Sequence, residues 1–502
     1  MIDLLSNLWL GASVAISPIN LLFALIGSLL GTLIGVLPGI GPLATVAMLL
    51  PITFYLTPLS ALIMLAAIYY GAQYGGSTTS ILLNLPGEAS SVVTCIDGYQ
   101  MARQGRAGAA LAVSALGSFF AGTVATLLIA AVAVPLSEVG QAFSSADYFS
   151  LMVLGLVGAV ALARGSVIKA IAMVLVGLLI GLMGTDIYSA SPRFTFGIQE
   201  MADGIGFVPV SMGLFGLGEI ISNLSNRDEE GRSVITKNIS RLWLTREEFS
   251  AAWPASLRGT AIGALLGLLP GSGALLGTFV SYLVEKKLAK DPSRFGKGAI
   301  EGVAGPEAAN NAGAQTSFIP MLTLGIPTTP LMALMIGAMV IHGITPGPAV
   351  MSHRPDLFWG LIVSMWIGNA MLLVINLPMI GVWVSLLKVP YRMLFPAILL
   401  FCAIGVYSVN NSQFEVFMAL LFGALGYFFM RTGCELPPLM LGMVLGLPLE
   451  AQLRRALLLS DGDPMVFLTR PISLTLLLTT VALLIVLMAP KIRKSRDSVF
   501  TE

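Results

Sequence analysis

The chain has 502 residues, 56% of them hydrophobic and only 11% charged, with a formal net charge of +1. Soluble domains carry about a quarter charged residues, so a chain this poor in charge, with a mean hydropathy of +0.88, cannot clothe a water-exposed surface. Nothing in so small a net charge points to nucleic acid, and the composition predicts an all-α polytopic membrane protein.

A bilayer core is about 30 Å thick and takes roughly 20 apolar residues to cross as a helix. Apolar runs follow one another at 19–36, 43–56, 59–72, 107–136, 148–163, 166–184 and 207–221. After a polar stretch at 222–256 they resume at 257–269, 274–285, 329–345, 358–387, 392–408, 413–430, 436–449 and 472–489. Several are too short to span alone and end in Gly/Pro clusters, which leaves roughly 10–12 membrane segments. No Lys or Arg precedes Arg103, so the start lacks the basic region of a signal peptide and is expected to be retained. The polar stretch holds Arg227, Arg232, Lys237, Arg241 and Arg246 balanced by acids, together with Leu242, Trp243, Leu244 and Phe249. It reads as a cytoplasmic connector with one surface-lying amphipathic segment. The expected organisation is therefore a first half at 1–221, the connector at 222–256, a second half at 257–490 and a tail at 491–502. Cys95, Cys402 and Cys434 are far apart and odd in number, which excludes a full disulfide framework.

The halves resemble each other. LIGVLPGIG at 33–41 matches LLGLLPGSG at 265–273, with Gly31 against Gly263 at the same offset. Gly71-Ala72-Gln73 matches Gly313-Ala314-Gln315 further on, the offset having grown from 232 to 242. Basic residues favour the cytoplasmic side. The first LPG hairpin has none at its ends, whereas the second is flanked by the connector and by Lys286, Lys287, Lys290, Arg294 and Lys297. The repeats are thus expected to be inverted, with the N-terminus outside and Lys491, Arg493, Lys494 and Arg496 holding the C-terminus inside. Arg454, Arg455 and Arg470 violate this count, and a re-entrant segment at 436–449 is one way to accommodate them.

Backbone polar groups in hydrocarbon must be satisfied, so Gly/Pro breaks at membrane depth belong where they line a cavity. Four such breaks are expected: Pro38-Gly39-Ile40-Gly41-Pro42, 75–87, Pro270-Gly271-Ser272-Gly273, and 305–330. Matched breaks in two halves are the sequence signature of a transporter's binding site. The second break of each half is rich in small polar side chains: Ser77, Thr78, Thr79, Ser80 and Asn84 in one, Asn310, Asn311, Gln315, Thr316, Ser317, Thr323, Thr328 and Thr329 in the other. Such neutral groups can hold carboxylate oxygens, and they can equally glue helices together. Acids are costly in the membrane; Glu88 and Glu307 are candidates to coordinate Na⁺ or carry a proton, or to cap helices at the interface. Glu301, in the same region, and Asp97, placed in a short loop, have the same alternatives with less claim. His342 and His353 are expected near the outer side, as are Asp186, Arg193, Glu200 and Asp203 in a loop. Asp461-Gly462-Asp463 reads as a turn. There is no G-x-x-x-x-G-K-[ST], H-E-x-x-H or G-x-S-x-G, so neither P-loop ATP hydrolysis nor those enzyme chemistries are indicated, and no cofactor is expected beyond a coupling ion. A channel, a carrier of other solutes and a membrane scaffold are the rival readings.

Long motifs carry a family resemblance: GVLPGIGPLATVAMLLPITF at 35–54, YYGAQYGGSTTSILLNLPGEASSVVTCIDGYQMARQGRAGAAL at 69–111, LLPGSGALLGTFVSY at 268–282 and EGVAGPEAANNAGAQTSFIPMLTLGIPTTPLMALMIGAMVIHGITPGP at 301–348. In these the chain resembles the large membrane subunit of the tripartite tricarboxylate transporters, the TctA family. The resemblance implies a bacterial inner-membrane permease working with a small four-helix membrane subunit and a periplasmic solute-binding protein. It implies secondary transport of citrate or related di- and tricarboxylates, coupled to Na⁺ or H⁺. The family's Gly/Pro motifs fall here on Pro38, Gly39, Gly41, Pro270, Gly271 and Gly273.

Overall fold

The structure is a computed structural model that describes residues 2–37, 41–84, 86–162, 166–186, 189–225, 242–269, 273–386 and 391–488. The hairpin-tip residues Pro38, Gly39, Pro270, Gly271 and Ser272, most of the connector and the tail at 491–502 lie outside the described residues.

The first half comprises α1 (Ile2–Ala15), α2 (Pro18–Val36), α3 (Pro42–Thr53), α4 (Pro58–Leu83), α5 (Val92–Arg103), α6 (Ala107–Gln141), α7 (Ser145–Leu162) and α8 (Val167–Gly181). A two-stranded hairpin, Gly184–Thr185 with Pro192–Arg193, leads to α9 (Phe207–Ser211), a π-helical turn (Met212–Leu217) and α10 (Gly218–Ser225). The second half comprises α11 (Arg246–Leu266), α12 (Gly273–Leu288), α13 (Glu301–Thr316), α14 (Phe318–Leu324), α15 (Pro330–Ile341), α16 (Pro348–His353), α17 (Pro355–Asn376) and α18 (Ile380–Leu386). It closes with α19 (Tyr391–Asn410), α20 (Gln413–Arg431), α21 (Leu436–Leu459), α22 (Val466–Thr469) and α23 (Pro471–Met488). Five described helices are long and apolar enough to cross a membrane, with seven shorter apolar ones beside them. The all-α polytopic membrane fold expected from composition is what the chain forms.

Two helices behave differently. Every residue of α4 from Leu59 to Leu82 is buried, as is every residue of α13 from Gly302 to Thr316. They are the polar-rich helices, sheathed by the rest of the protein, and each is clasped by a glycine-striped partner. On α2, a Cβ at Gly27, Gly31 or Gly35 would stand 2.4 Å from the carbonyl oxygen of Met64, Ile68 or Ala72 of α4. On α11, a Cβ at Gly259, Gly263 or Gly267 would stand 2.1, 2.1 or 2.4 Å from the carbonyl oxygen of Gly305, Ala309 or Gly313 of α13. Only hydrogen side chains permit backbones to approach so closely. The three pairs of glycines are separated by the 232 residues that relate the LPG motifs, so the two halves use one packing device at matched positions.

The structure corrects several expectations. The break at 75–87 is narrower: α4 continues to Leu83 and ends on Asn84, whose φ of 58° is left-handed, before Pro86. Gly75 there is a contact glycine against α2 rather than a hinge, like Gly71 one turn before it. The break at 305–330 is likewise narrower: it reduces to a one-residue turn at Ser317, between α13 and α14, and to Gly325–Thr329, which opens on another left-handed residue, Gly325 (φ 72°), and contains Pro327. Hence Ser77, Thr78 and Thr79, and Asn310, Asn311, Gln315 and Thr316, stand on helices and not on loops. Asp97 is within α5, not a loop. Segment 436–449 is not re-entrant, because it belongs to the continuous α21. The 256/257 boundary falls inside α11, which starts at the Thr245 capping box.

Two of the three discordant arginines are ion-paired. Arg454 pairs with Glu450 (2.6 Å) and Asp186 (3.1 Å), and Arg193 pairs with the same two acids (2.8 and 2.7 Å). Arg470 pairs with the buried Asp147 at 2.9 Å. The acids that pair with these two, Asp186 and Asp147, come from the hairpin after α8 and from the first turn of α7. At the opposite ends of the same helices, Lys169 donates to the Thr432 carbonyl at 2.5 Å. These contacts place the ends of α7, α8, α21 and α23 side by side.

Candidate functional site

Glu307 lies in the second turn of α13 and is completely buried. Burial of a carboxylate is tolerated only with strong compensation. Its partners come from three helices of the first half: Ser77 of α4 donates at 2.5 Å, Ser114 of α6 at 3.2 Å, and Thr94 of α5 also donates. No Lys, Arg or His is hydrogen-bonded to it or paired with it among the described residues. The reciprocal arrangement holds for Glu88, which follows the α4 break. It accepts from Ser90 at 2.6 Å and from the Asn310 amide of α13 at 2.9 Å. Ser90 also lies 3.4 Å from Gln73, and the Tyr69 hydroxyl sits among Gln73, Ser317, Thr329 and Glu88. Each half therefore supplies an acid whose hydrogen bonds come partly from the other half.

The cluster is incompletely satisfied. Asn311 donates to Ser118 of α6 at 2.6 Å and to the Glu307 carbonyl at 3.1 Å, leaving its Oδ1 without a partner. The Oδ1 of Asn310, both amide atoms of Gln315 and the Tyr74 hydroxyl are buried and unpaired too. Orphaned buried polar atoms are rare in folded proteins and mark places where a ligand, ion or water completes the shell. No group of three or more His, Cys, Asp or Glu suited to a transition metal occurs among the described residues. The donor set is instead hydroxyl, amide and isolated carboxylate oxygen, the hard ligands of alkali and alkaline-earth ions. Na⁺ fits these residues.

The expected site residues fall into two groups. Ser77, Glu88, Glu307 and Asn310 are joined by hydrogen bonds across the two halves, while Asn311 bonds Ser118 of α6, Thr78 lines a cavity with Ser114, and Gln315 is buried with both amide atoms unpaired. Others are spent locally: Thr79 donates to the Gly35 carbonyl at 2.9 Å and stitches α4 to α2, and Thr316 donates to Ala312 within its own helix. Thr328 donates to the Ser317 carbonyl at 3.3 Å, and Thr329 caps α15 by accepting from Met332. Asn84 is exposed and serves the helix end. Gly41 is the N-cap of α3, and Gly273 opens α12. Asp97 is fully engaged: Oδ1 accepts from the backbone N–H groups of Gly296, Gly298 and Ala299 at 2.9, 2.8 and 2.9 Å, and Oδ2 from Tyr282 at 2.9 Å. It is a clasp that holds the approach to α13 against α5. Glu301 pairs with Arg294 at 3.2 Å. Tyr69, Tyr74, Ser90, Thr94, Ser114 and Ser118 escaped the sequence reading. Ser114 and Ser118, four apart in an alanine-rich helix, carry a faint signal of one polar face; nothing in the chain tells which acid that face meets.

Residues 21–441 match the model of the tripartite tricarboxylate transporter TctA family. The chain is 57% identical, over the whole length of both, to an uncharacterized 52.8 kDa protein of the TAR-I ttuC′ 3′ region of Agrobacterium vitis. It is 58% identical over 240 residues to an uncharacterized protein of the TAR-II ttuC′ 3′ region of the same organism, which covers 48% of this chain and 99% of that one. No solved structure matches.

Proposed function

The chain belongs to the tripartite tricarboxylate transporter TctA family and is thus a membrane component of such a transporter; on that premise we propose that it is the permease, importing citrate-like di- or tricarboxylates by cation-coupled alternating access. The observation that carries this reading is the pair of acids, the half-buried Glu88 and the fully buried Glu307, without a basic partner among the described residues and bonded across the two halves. Two bare carboxylates in a low-dielectric site repel an anionic solute strongly. The same site accepts it once a bound Na⁺ or proton has neutralised them, so solute and cation enter together. Ser77, Thr78, Asn310, Asn311 and Gln315 supply neutral donors for carboxylate oxygens, and Pro38, Gly39, Gly41, Pro270, Gly271, Ser272 and Gly273 of the Gly/Pro motifs are further candidates for contact with the solute. Thr79, Asn84, Thr316, Thr328 and Thr329 shape the helix ends around that site.

In this reading the halves are inverted repeats that rock about the α4–α13 contact. The protein sits in the bacterial inner membrane with its N-terminus outside and its C-terminus in the cytoplasm. A small four-helix membrane subunit and a periplasmic solute-binding protein are its partners. The test is uptake of labelled citrate into proteoliposomes holding the chain with those two partners, with and without a Na⁺ or proton gradient. Uptake that requires the binding protein and one gradient, and that loses its gradient dependence in Glu307→Gln, is the expected result. Non-saturating flux indifferent to any gradient overturns the carrier in favour of a channel.

A further inference from the structure

A small cavity lies between α4, α6 and α17, lined by Tyr74, Thr78, Leu111, Ser114, Ala115 and Asn376. Two of its walls carry unsatisfied polar atoms. The Asn376 amide nitrogen donates to the Leu372 carbonyl at 2.9 Å and to Thr32 at 3.3 Å. A carbonyl can only accept, so the nitrogen must face that way and Oδ1 is the atom left without a partner. The Tyr74 hydroxyl is also unpaired. Asn376 is 5% exposed and Tyr74 3%. A third wall, Ser114, donates to Glu307 at 3.2 Å, and Tyr74 lies within the electrostatic reach of the same carboxylate.

The three possible occupants differ in what they satisfy. A water molecule would complete the orphaned atoms and leave the Glu307 charge uncompensated. A proton on Glu307 would remove the charge and leave the orphans. A dehydrated cation does both. We infer that this cavity binds a small monovalent cation, held by the oxygens of Asn376, Tyr74, Thr78 and Ser114 and balanced by Glu307. The inference rests on the coupling role proposed for Glu307, and it adds α17, the carrier of Asn376, to the elements that sense the ion.

The test is cation binding, read without transport. The full chain, purified from membranes into nanodiscs, is melted across a range of NaCl, LiCl and KCl, with choline chloride holding ionic strength constant. A ligand that binds only the folded state raises the unfolding midpoint as it saturates. Na⁺ or Li⁺ should raise it where choline does not. Asn376→Ala should shift the Na⁺ titration to at least roughly 10–100-fold higher concentration, the cost of losing even a residue that only orients a metal's ligands, and Tyr74→Phe should shift it in the same direction. Asn369→Ala, a buried amide on the same helix outside the cavity, should leave the titration in place. If Asn376→Ala fails to fold, Tyr74→Phe, which removes one oxygen, decides alone. Titrations of both variants that superimpose on the wild type overturn the proposal. Should they do so while Glu307→Gln abolishes the Na⁺ effect, the cavity is wrong and the role of Glu307 stands. Absence of any cation-specific shift in the wild type also overturns the cavity, and gradient-dependent uptake then decides whether Glu307 works with protons.

Discussion

Replacing Asp97 by alanine should loosen the second half of the protein without touching the transported solute. The side chain collects three backbone N–H groups from residues 296–299 and the Tyr282 hydroxyl. Gly296 is exposed and can turn to water, whereas Gly298 and Ala299 are buried. Alanine therefore strands two backbone donors and one hydroxyl. At about 1–3 kcal/mol for each buried group left unsatisfied, and with incomplete additivity, the loss is on the order of 3–6 kcal/mol. Asp97→Asn keeps one acceptor for the N–H groups and loses the charge and the good fit to Tyr282, so about 1–2 kcal/mol is expected. Thermal unfolding in detergent, read from the melting midpoints of wild type, Asn and Ala variants, should rank them in that order. Tyr282→Phe should give a smaller loss and add little on top of Asp97→Ala. An Asp97→Ala protein that melts with the wild type but no longer transports would refute the reasoning and make Asp97 a ligand of ion or solute.

The glycine stripes make a paired prediction. Gly31→Val and Gly263→Val should each destabilise by at least the about 1–3 kcal/mol typical of overpacking, because the added carbons meet the Ile68 and Ala309 carbonyls; stable, normally inserted variants would show that the helices are not so tightly apposed. Arg470→Ala should cost about 1–3 kcal/mol by uncovering the buried Asp147, less than a fully buried pair because the arginine is 41% exposed. The double change to Asp147→Leu with Arg470→Leu should recover part of the loss in the same melting assay. At the start of α11, burial pushes the Glu248 carboxyl up, but the Thr245 backbone N–H and the Arg106 guanidinium outweigh it and hold it below its usual value. A lowered folded value means stability that is present above the unfolded pKa, near 4.3, and lost as pH falls through the folded one. Glu248→Gln should thus flatten the acid limb of the stability curve below about pH 4, and an unchanged limb would contradict the pairing.

Composition and run length settled the membrane class, because charge is needed to face water and about 20 apolar residues to cross lipid. The LPG repeats and the acids Glu88 and Glu307 were also legible, since polarity stands out against an apolar background. Glycine was legible and its purpose was not. Gly75 suggests a broken helix until α2 is seen against it, for the sequence records a missing side chain and not what fills its place. The ion pairs of Arg454 and Arg470 were not legible because their acids, Asp186 and Asp147, lie some 270 and 320 residues earlier. Only the tertiary structure brings Ser77, Thr94 and Ser114 around Glu307 and Asn310 to Glu88. Hydrogen bonds reach about 3 Å in space and leave no mark at separations of 200 residues along the chain.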